Sequence, residues 1–343
     1  MNSKERVLKA IKFKPTDFIP VNTKKDAMAP AVVGYKLDRD YLTSPEKMVK
    51  AELALMEIVD DDFCVFTGLL GEGMGMDVEW KENDYPQKGK SVIHTMEDIE
   101  KLPVPDPWNN EFITPVLEGV KLLKKQIGDE KMIEVWVSGV FNIATKLAGI
   151  EKYMQALVVD KEFVHKLNQK VVDSMIAYAK ALKEAGCDVF FSPDACSSPA
   201  CISPKLFTEM ALPYHIQWVK GAKEAGLITC YHPCGGEYPI IDQMAPINAD
   251  IFWFSDLVDI RVSQQIFYKR FAVGGDVNGP DLLCYGTPKI IDEYLKERIS
   301  GLKHKSGVII HPGCGLSPNI PLENLKAMVD ATRKYSELAG SNN

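Results

Sequence analysis

The chain has 343 residues, of which 46% are hydrophobic and 25% charged, and its net charge is −7 at neutral pH. This globular composition, acidic and without a basic block, excludes a non-specific nucleic-acid binder. No apolar run approaches the roughly 18 residues of a membrane span, and the charged N-terminus does not resemble a secretory signal. We therefore expect a cytoplasmic protein without a membrane segment.

Short apolar runs alternate with amphipathic helices along the chain. The runs lack polar alternation, which is typical of buried parallel strands. They lie at residues 18–21, 63–66, 133–137, 189–192, 227–231, 251–254, 271–274 and 308–310. Helices are predicted to begin where serine or threonine precedes proline, because this pair fits an N-cap and a first turn, at 44–45, 203–204 and 287–288. A longer helix is predicted to end near Gly186, and the last to begin near Pro321.

Strands alternating with helices predict an α/β fold, a (β/α)8 TIM barrel formed as one domain over residues 1–343. A barrel needs about 250 residues, so the chain has length to spare. We assign the surplus to an N-terminal extension and to residues 67–132. The latter segment is rich in glycine, proline and charge and is predicted as an insertion over the barrel mouth.

Candidate metal ligands follow two of the predicted strands. The fifth ends in His232-Pro-Cys234 and two glycines, and Cys314 follows the eighth. Residues i and i+2 of an extended strand point the same way, so we expect the imidazole and the thiol to project together. Barrel strands present their C-terminal ends at one face, where Cys314 would join them. The three residues are predicted to hold a catalytic zinc ion with an open fourth position.

Competing interpretations exist for these residue types. A buried His-x-Cys pair alone is commonly core packing, and only the addition of Cys314 favours a metal. Cys230 is expected to face away from His232 and to be a core residue. His311, at the exit of the eighth strand, is expected to support the ligands from behind. Cys196 and Cys201 are expected to be loop or packing residues.

Polar residues also end the neighbouring strands. Asp194, Asp256 and Asp276 are candidate catalytic residues, and Gly275 and Asn278 are candidate cofactor-binding residues. An equally good interpretation makes Asp256 and Asp276 caps of the helices that follow them.

The chain resembles the uroporphyrinogen decarboxylase superfamily over nearly its whole length. The similar segments lie at residues 5–21, 202–214, 274–277, 286–288 and 321–329. True decarboxylases carry an arginine-rich motif near the N-terminus, whereas the corresponding residues 21–30 contain no arginine. The His-x-Cys and distant Cys pattern is similar to the zinc motif of the cobalamin-dependent methyltransferases of this superfamily, such as the methylcobalamin:coenzyme M enzymes.

This resemblance implies methyl transfer between a corrinoid and a thiol such as coenzyme M, with zinc activating the sulfur. It also implies a carboxylate near the open position, for which Asp256 is the candidate. The sequence contains no Asp-x-His-x-x-Gly cobalamin loop. Methylcobalamin is therefore expected as a co-substrate carried by a separate small corrinoid protein, and a homo-oligomer is possible.

Three alternatives stay open at this point. The same site could catalyse the reverse reaction, in a demethylating methyltransferase that passes a methyl group from a donor to Co(I). A metal-free decarboxylase-type lyase would use Asp194 or Asp276 against pyrrole nitrogens. A corrinoid-binding or sensing barrel with a vestigial zinc site would not be an enzyme.

Overall fold

A computed structural model describes residues 1–337, so residues 338–343 of the predicted domain lie outside the described residues. Seven parallel strands form one curled sheet in the order β1-β4-β5-β6-β7-β8-β9, and a two-stranded antiparallel ribbon, β2-β3, stands apart. The strands are β1 (Phe63–Gly68), β2 (Val78–Glu79), β3 (Gln87–Lys88), β4 (Met132–Val137), β5 (Val189–Pro193), β6 (Ile228–His232), β7 (Ile251–Phe254), β8 (Ala272–Val277) and β9 (Val308–Pro312). The predicted α/β barrel class is confirmed, and seven of the eight predicted strands are present.

Helices pack on the outer face of the sheet and connect its strands. They are α1 (Ser3–Ile11), α2 (Ala29–Val32), α3 (Arg39–Leu42), α4 (Pro45–Ile58), α5 (Leu70–Gly73), α6 (Met96–Lys101), α7 (Ile113–Ile127), α8 (Val140–Ala148), α9 (Ile150–Val159), α10 (Lys161–Ala185), α11 (Pro204–Leu206), α12 (Leu212–Glu224), α13 (Ile260–Phe267), α14 (Pro288–Ser300) and α15 (Leu322–Glu337). The predicted helix starts at Pro45, Pro204 and Pro288 are confirmed, as is the end of α10 before Gly186. Within residues 1–337, no helix combines the length and the apolar character that crossing a membrane requires.

Alternate side chains of each strand enter two separate cores. One core fills the inside of the curl and is closed at the N-terminal end of the strands by Val7 of α1. Its strand residues are Phe63, Val65, Met132, Val189, Phe191, Cys230, Ile251, Trp253, Ala272 and Ile309. The intervening strand residues pack beneath the helices in the larger core. Because both faces of the sheet are covered, the strands show no polar alternation in the sequence.

The predicted first strand, at residues 18–21, is wrong. Only Val21 pairs, through a single parallel bridge to Ile310 of β9. On the other side, the backbone N–H groups of Val21 and Thr23 donate to the carboxylates of Asp62 and Asp61, just before β1. The segment therefore joins the two edge strands of the sheet, but side-chain acceptors replace part of the ladder that a strand would need.

The segment predicted as an insertion, residues 67–132, contains both irregular and regular structure. Its last part is α7, which packs against α4, α10 and β1 as an ordinary outer helix of the barrel. The preceding part holds α5, the β2-β3 ribbon and α6. Tyr85, from the loop of the ribbon, reaches the central cavity described below. The position of the whole segment over the barrel mouth stays a prediction.

Gly275 in β8 has no room for a side chain. A Cβ atom there would lie 2.0 Å from the carbonyl oxygen of Phe254 in β7, and its φ is +119°. Close strand packing thus explains this glycine, whose predicted cofactor-binding role stays a prediction. We predict that Gly275→Ala lowers the free energy of unfolding by about 3 kcal/mol or more, measured by urea denaturation.

Gly315→Ala is the matched control, because among the described residues no atom lies within 4 Å of the added Cβ. Its expected change is less than about 1 kcal/mol. Similar small changes in both variants would contradict the steric explanation.

Candidate metal centre

The three predicted metal ligands converge at the C-terminal ends of β6 and β9. Their ligand atoms all lie within 4.8 Å of one another. The Sγ atoms of Cys234 and Cys314 are 3.4 Å apart. A tetrahedral zinc ion with Zn–S bonds of about 2.3 Å separates two sulfurs by about 3.8 Å, so this spacing suits one shared ion.

A left-handed turn, not strand alternation, brings Cys234 towards His232. The strand ends at His232, and Cys234 has a φ of +40°. Gly235 and Gly236 continue the turn with φ values of +148° and +70°. The two side chains therefore meet as predicted, but through this turn and not through the alternation of an extended strand. A Cβ atom on Gly235 would lie 2.4 Å from Oγ of Ser198, so the turn also packs closely against the loop after β5.

Hydrogen bonding fixes the orientation and the tautomer of the His232 ring. Its Nδ1 lies 2.8 Å from the carbonyl oxygen of Trp253, which only accepts, so Nδ1 carries the proton. Nε2 is then a bare acceptor, and it is buried without a hydrogen-bond partner among residues 1–337. An imidazole held at one nitrogen by a carbonyl and free at the other is the usual arrangement of a metal ligand. This orphaned nitrogen, facing two thiols, fits a metal ion.

The two thiols ionise as a coupled pair. The hydrogen bond from Cys234 lowers the pKa of Cys314. The same contact, followed by burial, raises the pKa of Cys234. The pair therefore loses its first proton easily and its second with difficulty. A divalent ion that binds both sulfurs as thiolates would release the second proton.

The rival ligands lie in the interior core. Cys230 belongs to the core as predicted, but it faces the same side as His232, because residues two apart in a strand share a face. The expectation that it faces away was wrong. His311 stacks on Trp253 at 4.8 Å between ring centroids, and His232 stacks on the same indole at 4.6 Å. Burial, more than the nearby Lys24, lowers the pKa of His311 to about 3.

Asp194 is fully buried beneath α8. Its two carboxylate oxygens accept the backbone N–H groups of Phe141 and Asn142, each at 2.9 Å. Burial raises the pKa of Asp194 to about 7, and these two hydrogen bonds oppose the rise. The backbone N–H of Asp194 donates to the carbonyl oxygen of His232 at 2.8 Å, but its carboxylate is not part of the group of ligand atoms. The side-chain contacts anchor the start of α8, and the predicted catalytic role of Asp194 stays a prediction.

Asp276 occupies a comparable position under α13 and α14. It accepts the N–H of Ile260 at 3.2 Å and the hydroxyl of Tyr294, and its carboxylate lies 3.0 Å from Nε of Arg298. It therefore caps the helix that precedes it in the chain, not the one that follows. These contacts give Asp276 a structural role, and its carboxylate is not part of the group of ligand atoms. Its predicted catalytic role stays a prediction.

Asp256 is the predicted carboxylate that lies beside the metal ligands. A Cβ atom on Gly313, next to Cys314, would lie 2.4 Å from the backbone nitrogen of Asp256. The charge of Asp256 also contributes to the raised pKa of Cys234. Asn278 donates its side-chain N–H to Asp256, so two of the predicted site residues form one pair.

A cavity of about 370 Å³ opens directly onto the metal ligands. Its lining is mostly aromatic and aliphatic, with the side chains of Tyr85, Trp136, Phe191, Trp253 and Leu316. Lys24 supplies an ammonium group and Asp26 a carboxylate to this lining. A cavity of this size and character suits a small, largely apolar molecule with few polar groups.

Sequence reasoning missed the polar wall of this cavity. Asp26 accepts hydrogen bonds from the hydroxyl of Tyr85 at 2.6 Å and from Nε1 of Trp136 at 2.8 Å. Lys24 places its Nζ 3.7 Å from Asp26 and 3.6 Å from Glu134. The available signal was the position of Lys24 and Asp26 in the segment that corresponds to the arginine-rich motif of the decarboxylases.

Comparisons with known proteins identify the family of this chain, and the relatives within it carry two different activities in their names. The family model for uroporphyrinogen decarboxylase (URO-D) matches residues 2–335. The methylcobamide:CoM methyltransferase MtaA of Methanosarcina barkeri is 27% identical over 97% of this chain and 98% of its own. The uroporphyrinogen decarboxylase of Chlorobium limicola is 27% identical over 96% of this chain and 97% of its own. A solved methyltransferase from Methanosarcina mazei shares the fold with a TM-score of 0.89 and 25% identity, over 98% of this chain and 99% of its own.

We predict that the protein binds about one zinc ion per chain, and that Cys234→Ser and Cys314→Ser each weaken zinc binding more than tenfold. The reason is that each variant replaces a thiolate by a poor ligand in a three-residue set. Metal analysis and competition with a chelator measure the effect. Cys201→Ser, at an exposed cysteine, is the control and should keep the parent affinity. Unchanged zinc binding in both ligand variants would contradict the assignment.

Glu134 predicts a pH dependence of stability. Burial, opposed by Lys24, raises the pKa of Glu134 from 4.5 to about 7. The unfolded chain therefore releases this proton at a lower pH than the folded chain does. As a result, the free energy of unfolding falls as the pH rises from about 4.5 to 7. Glu134→Gln should reduce this loss by at most about 3 kcal/mol, measured by urea unfolding at several pH values. Glu52 and Asp194, whose pKa values are raised similarly, keep part of the slope in the variant.

Glu162→Gln, at an exposed position of α10, is the control and should show the pH dependence of the parent protein. If Glu134→Gln shows that same dependence, Glu134 is not a buried group with a raised pKa.

Proposed function

This chain belongs to the uroporphyrinogen decarboxylase family, and on that premise we propose that it is a zinc-dependent methyltransferase that moves a methyl group between a corrinoid and a thiol. The observation that carries the proposal is the unpartnered Nε2 of His232 beside the sulfurs of Cys234 and Cys314, at a cavity with aromatic walls. Relatives named as methylcobamide:CoM methyltransferases support it, and they suggest coenzyme M as the thiol.

His232, Cys234 and Cys314 would hold the zinc ion, and zinc bound there supplies an open position at which a substrate thiol is kept as its thiolate. The residues of the chain prepare that position. The carbonyl of Trp253 keeps the proton on Nδ1 of His232, so Nε2 is the nitrogen that would bind the ion, and an imidazole bound in this way is neutral. Two thiolates and a neutral imidazole balance the charge of a divalent ion, so the substrate sulfur keeps the electron density that attack on carbon requires.

The cavity walls orient the reactants and exclude water. Phe191, Trp136 and Trp253 surround the space next to the ligands, and their apolar surface favours the methylated product over a hydrated thiolate. In the forward reaction the thiol loses its proton and its sulfur forms the new bond to the methyl carbon. The carbon–cobalt bond of the methylcorrinoid breaks, and its electron pair stays on the corrinoid.

The partners belong to the same proposal. The corrinoid would arrive on a separate small protein that docks at the open end of the cavity, because no cobalamin loop was found in the sequence. Asp256 would lie close to the reacting sulfur, and Asn278 would hold its carboxylate in place. Assembly of the chain into a homo-oligomer and a cytoplasmic location are part of the proposal.

A decarboxylase-type lyase is the second candidate, because the decarboxylase of Chlorobium limicola is as similar to this chain as the methyltransferase relatives. Two observations favour the methyltransferase. Asp194 and Asp276 hold helix starts instead of facing the cavity. Residues 21–30 supply lysines in place of arginines, and lysine is a poorer partner for several carboxylates at once.

Mixing the zinc-loaded protein with methylcobalamin and a panel of thiols tests the proposal. We expect conversion to cob(I)alamin, followed by its absorbance, together with formation of the methyl thioether. Cys314→Ser should lower kcat/KM by about 100-fold or more, because the sulfur loses its activating site. Cys201→Ser should retain the parent rate.

The remaining outcomes separate the alternatives. Methyl transfer only from methylated donors to cob(I)alamin would establish the reverse direction. Decarboxylation of a porphyrinogen by metal-free protein, with no methyl transfer, would establish the lyase and end the proposal.

A further inference from the structure

A second, smaller cavity lies behind one wall of the cavity that opens onto the candidate metal ligands. Its volume is about 60 Å³, and residues of β1, α5 and α8 contribute to its lining together with Tyr85 and Trp136. Tyr85 and Trp136 also line the larger cavity of about 370 Å³. Because each of these two rings has one cavity on either side, together they form the partition between the two spaces.

One carboxylate holds both rings of the partition. Oδ2 of Asp26 accepts a hydrogen bond from the hydroxyl of Tyr85 at 2.6 Å and another from Nε1 of Trp136 at 2.8 Å. The two rings also meet edge to face, with their centroids 5.5 Å apart and their planes at 84° to each other. Aromatic pairs favour this arrangement. The hydrogen bonds and the ring contact together keep the partition closed.

The two rings differ in the backbone that carries them. Trp136 belongs to β4, within a parallel register of six residue pairs with β1. Tyr85 lies in the loop between β2 and β3, a ribbon with two residue pairs. The N–H of Asp84 in this loop donates to the carbonyl oxygen of Leu37 at 3.2 Å. Tyr85 is therefore the half of the partition that a substitution can shorten without changing a strand of the sheet.

The smaller cavity has polar groups in its lining. Glu72 lies there with 8% of its surface exposed. Burial raises the pKa of Glu72, and its own backbone N–H and the charge of Lys146 oppose the rise. Thr67 and Ser138 contribute hydroxyl groups to the same lining. The smaller cavity therefore suits the end of an uncharged chain that carries a hydroxyl group.

We infer that Tyr85 is a specificity-determining residue, because it closes the larger cavity and so sets the greatest chain length of the thiol. This rests on the proposed function in that the sulfur of the thiol lies at the candidate metal ligands. Those ligands follow β6 and β9, whereas the partition belongs to β4 and to the ribbon. A chain that extends from the sulfur through the larger cavity ends at this partition. Longer chains would need the second cavity, which Tyr85 keeps separate.

A series of uncharged thiols of increasing length tests the inference. 2-Mercaptoethanol, 4-mercapto-1-butanol, 6-mercapto-1-hexanol and 8-mercapto-1-octanol share their end groups and differ in the number of methylene groups. Binding to zinc-loaded protein is measured by calorimetry. In the parent protein we expect the affinity to rise with length, because each buried methylene adds affinity, and to fall at the first chain that meets Tyr85.

Tyr85→Ala should move this length limit to a longer chain. The shortest thiol that the parent protein excludes should bind roughly tenfold or more tighter to the variant, because a space opened by removing a side chain accepts part of a ligand. Ser138→Leu, added to Tyr85→Ala, fills the second cavity and should restore the parent limit. If Tyr85→Ala unfolds, Tyr85→Leu, which shortens the side chain but keeps it apolar, gives the same comparison.

Two control variants separate the ring from other effects. Tyr85→Phe keeps the ring and loses only its hydroxyl, so it should keep the parent length limit. Tyr285→Ala, at a largely exposed tyrosine, should behave as the parent protein. An unchanged limit in Tyr85→Ala overturns the inference, even if methyl transfer proceeds. A longer limit that Ser138→Leu does not reverse also overturns it.

Alcohols without a thiol separate the inference from the proposed function. Binding of 1-butanol, 1-hexanol and 1-octanol to zinc-free protein is followed by tryptophan fluorescence, because Trp136 and Trp253 line the larger cavity. A length limit for alcohols that Tyr85→Ala relaxes supports the partition without any metal. In that case failure of methyl transfer with every thiol would remove the proposed function alone. If neither series shows a length limit in the parent protein, the inference is overturned.

Discussion

The hydrogen bond from Nδ1 of His232 to the carbonyl oxygen of Trp253 is the interaction on which the candidate metal centre depends. It joins the ends of two neighbouring strands, β6 and β7, whose parallel register places these residues side by side. A carbonyl can only accept, so the bond determines which nitrogen carries the proton. The other nitrogen then faces Cys234 and Cys314 as a free ligand. The register of the sheet therefore sets the chemistry of the ring.

The same part of the barrel combines a dry interior with a small number of charged groups. Below the metal ligands the interior is filled by apolar side chains, including Cys230. Next to the candidate metal ligands, aromatic side chains line a cavity instead of filling the interior. Lys24 and Asp26 enter this aromatic space from the segment that closes the sheet. That segment is freed from regular strand pairing because Asp61 and Asp62 satisfy its N–H groups.

The family frame explains why relatives with two activities are equally similar to this chain. Relatives of one family share a fold, and a fold by itself does not decide the activity. The activity depends on a few side chains after the strands. In this chain Asp194 and Asp276 hold the starts of α8 and α13, and the three candidate metal ligands lie together after β6 and β9.

The sequence by itself determined the alternation of strands and helices, the set of three soft ligands and the lack of arginine in residues 21–30. These features are local, because an apolar run or a His-x-Cys pair can be recognised without its neighbours. Predictions from local patterns were wrong where a tertiary contact or a turn determined the backbone conformation instead. Residues 18–21 are apolar like a strand, but the carboxylate of Asp62 accepts the N–H of Val21. A left-handed turn, not an extended strand, directs Cys234 towards His232.

Only the tertiary structure decided which distant groups share one space. Lys24 and Glu134 are 110 residues apart, and neither has a sequence signal that points to the other. Their meeting follows from the curl of the sheet, which turns alternate residues of every strand towards a common interior. The tautomer of His232 has the same origin, since the carbonyl that fixes it belongs to another strand.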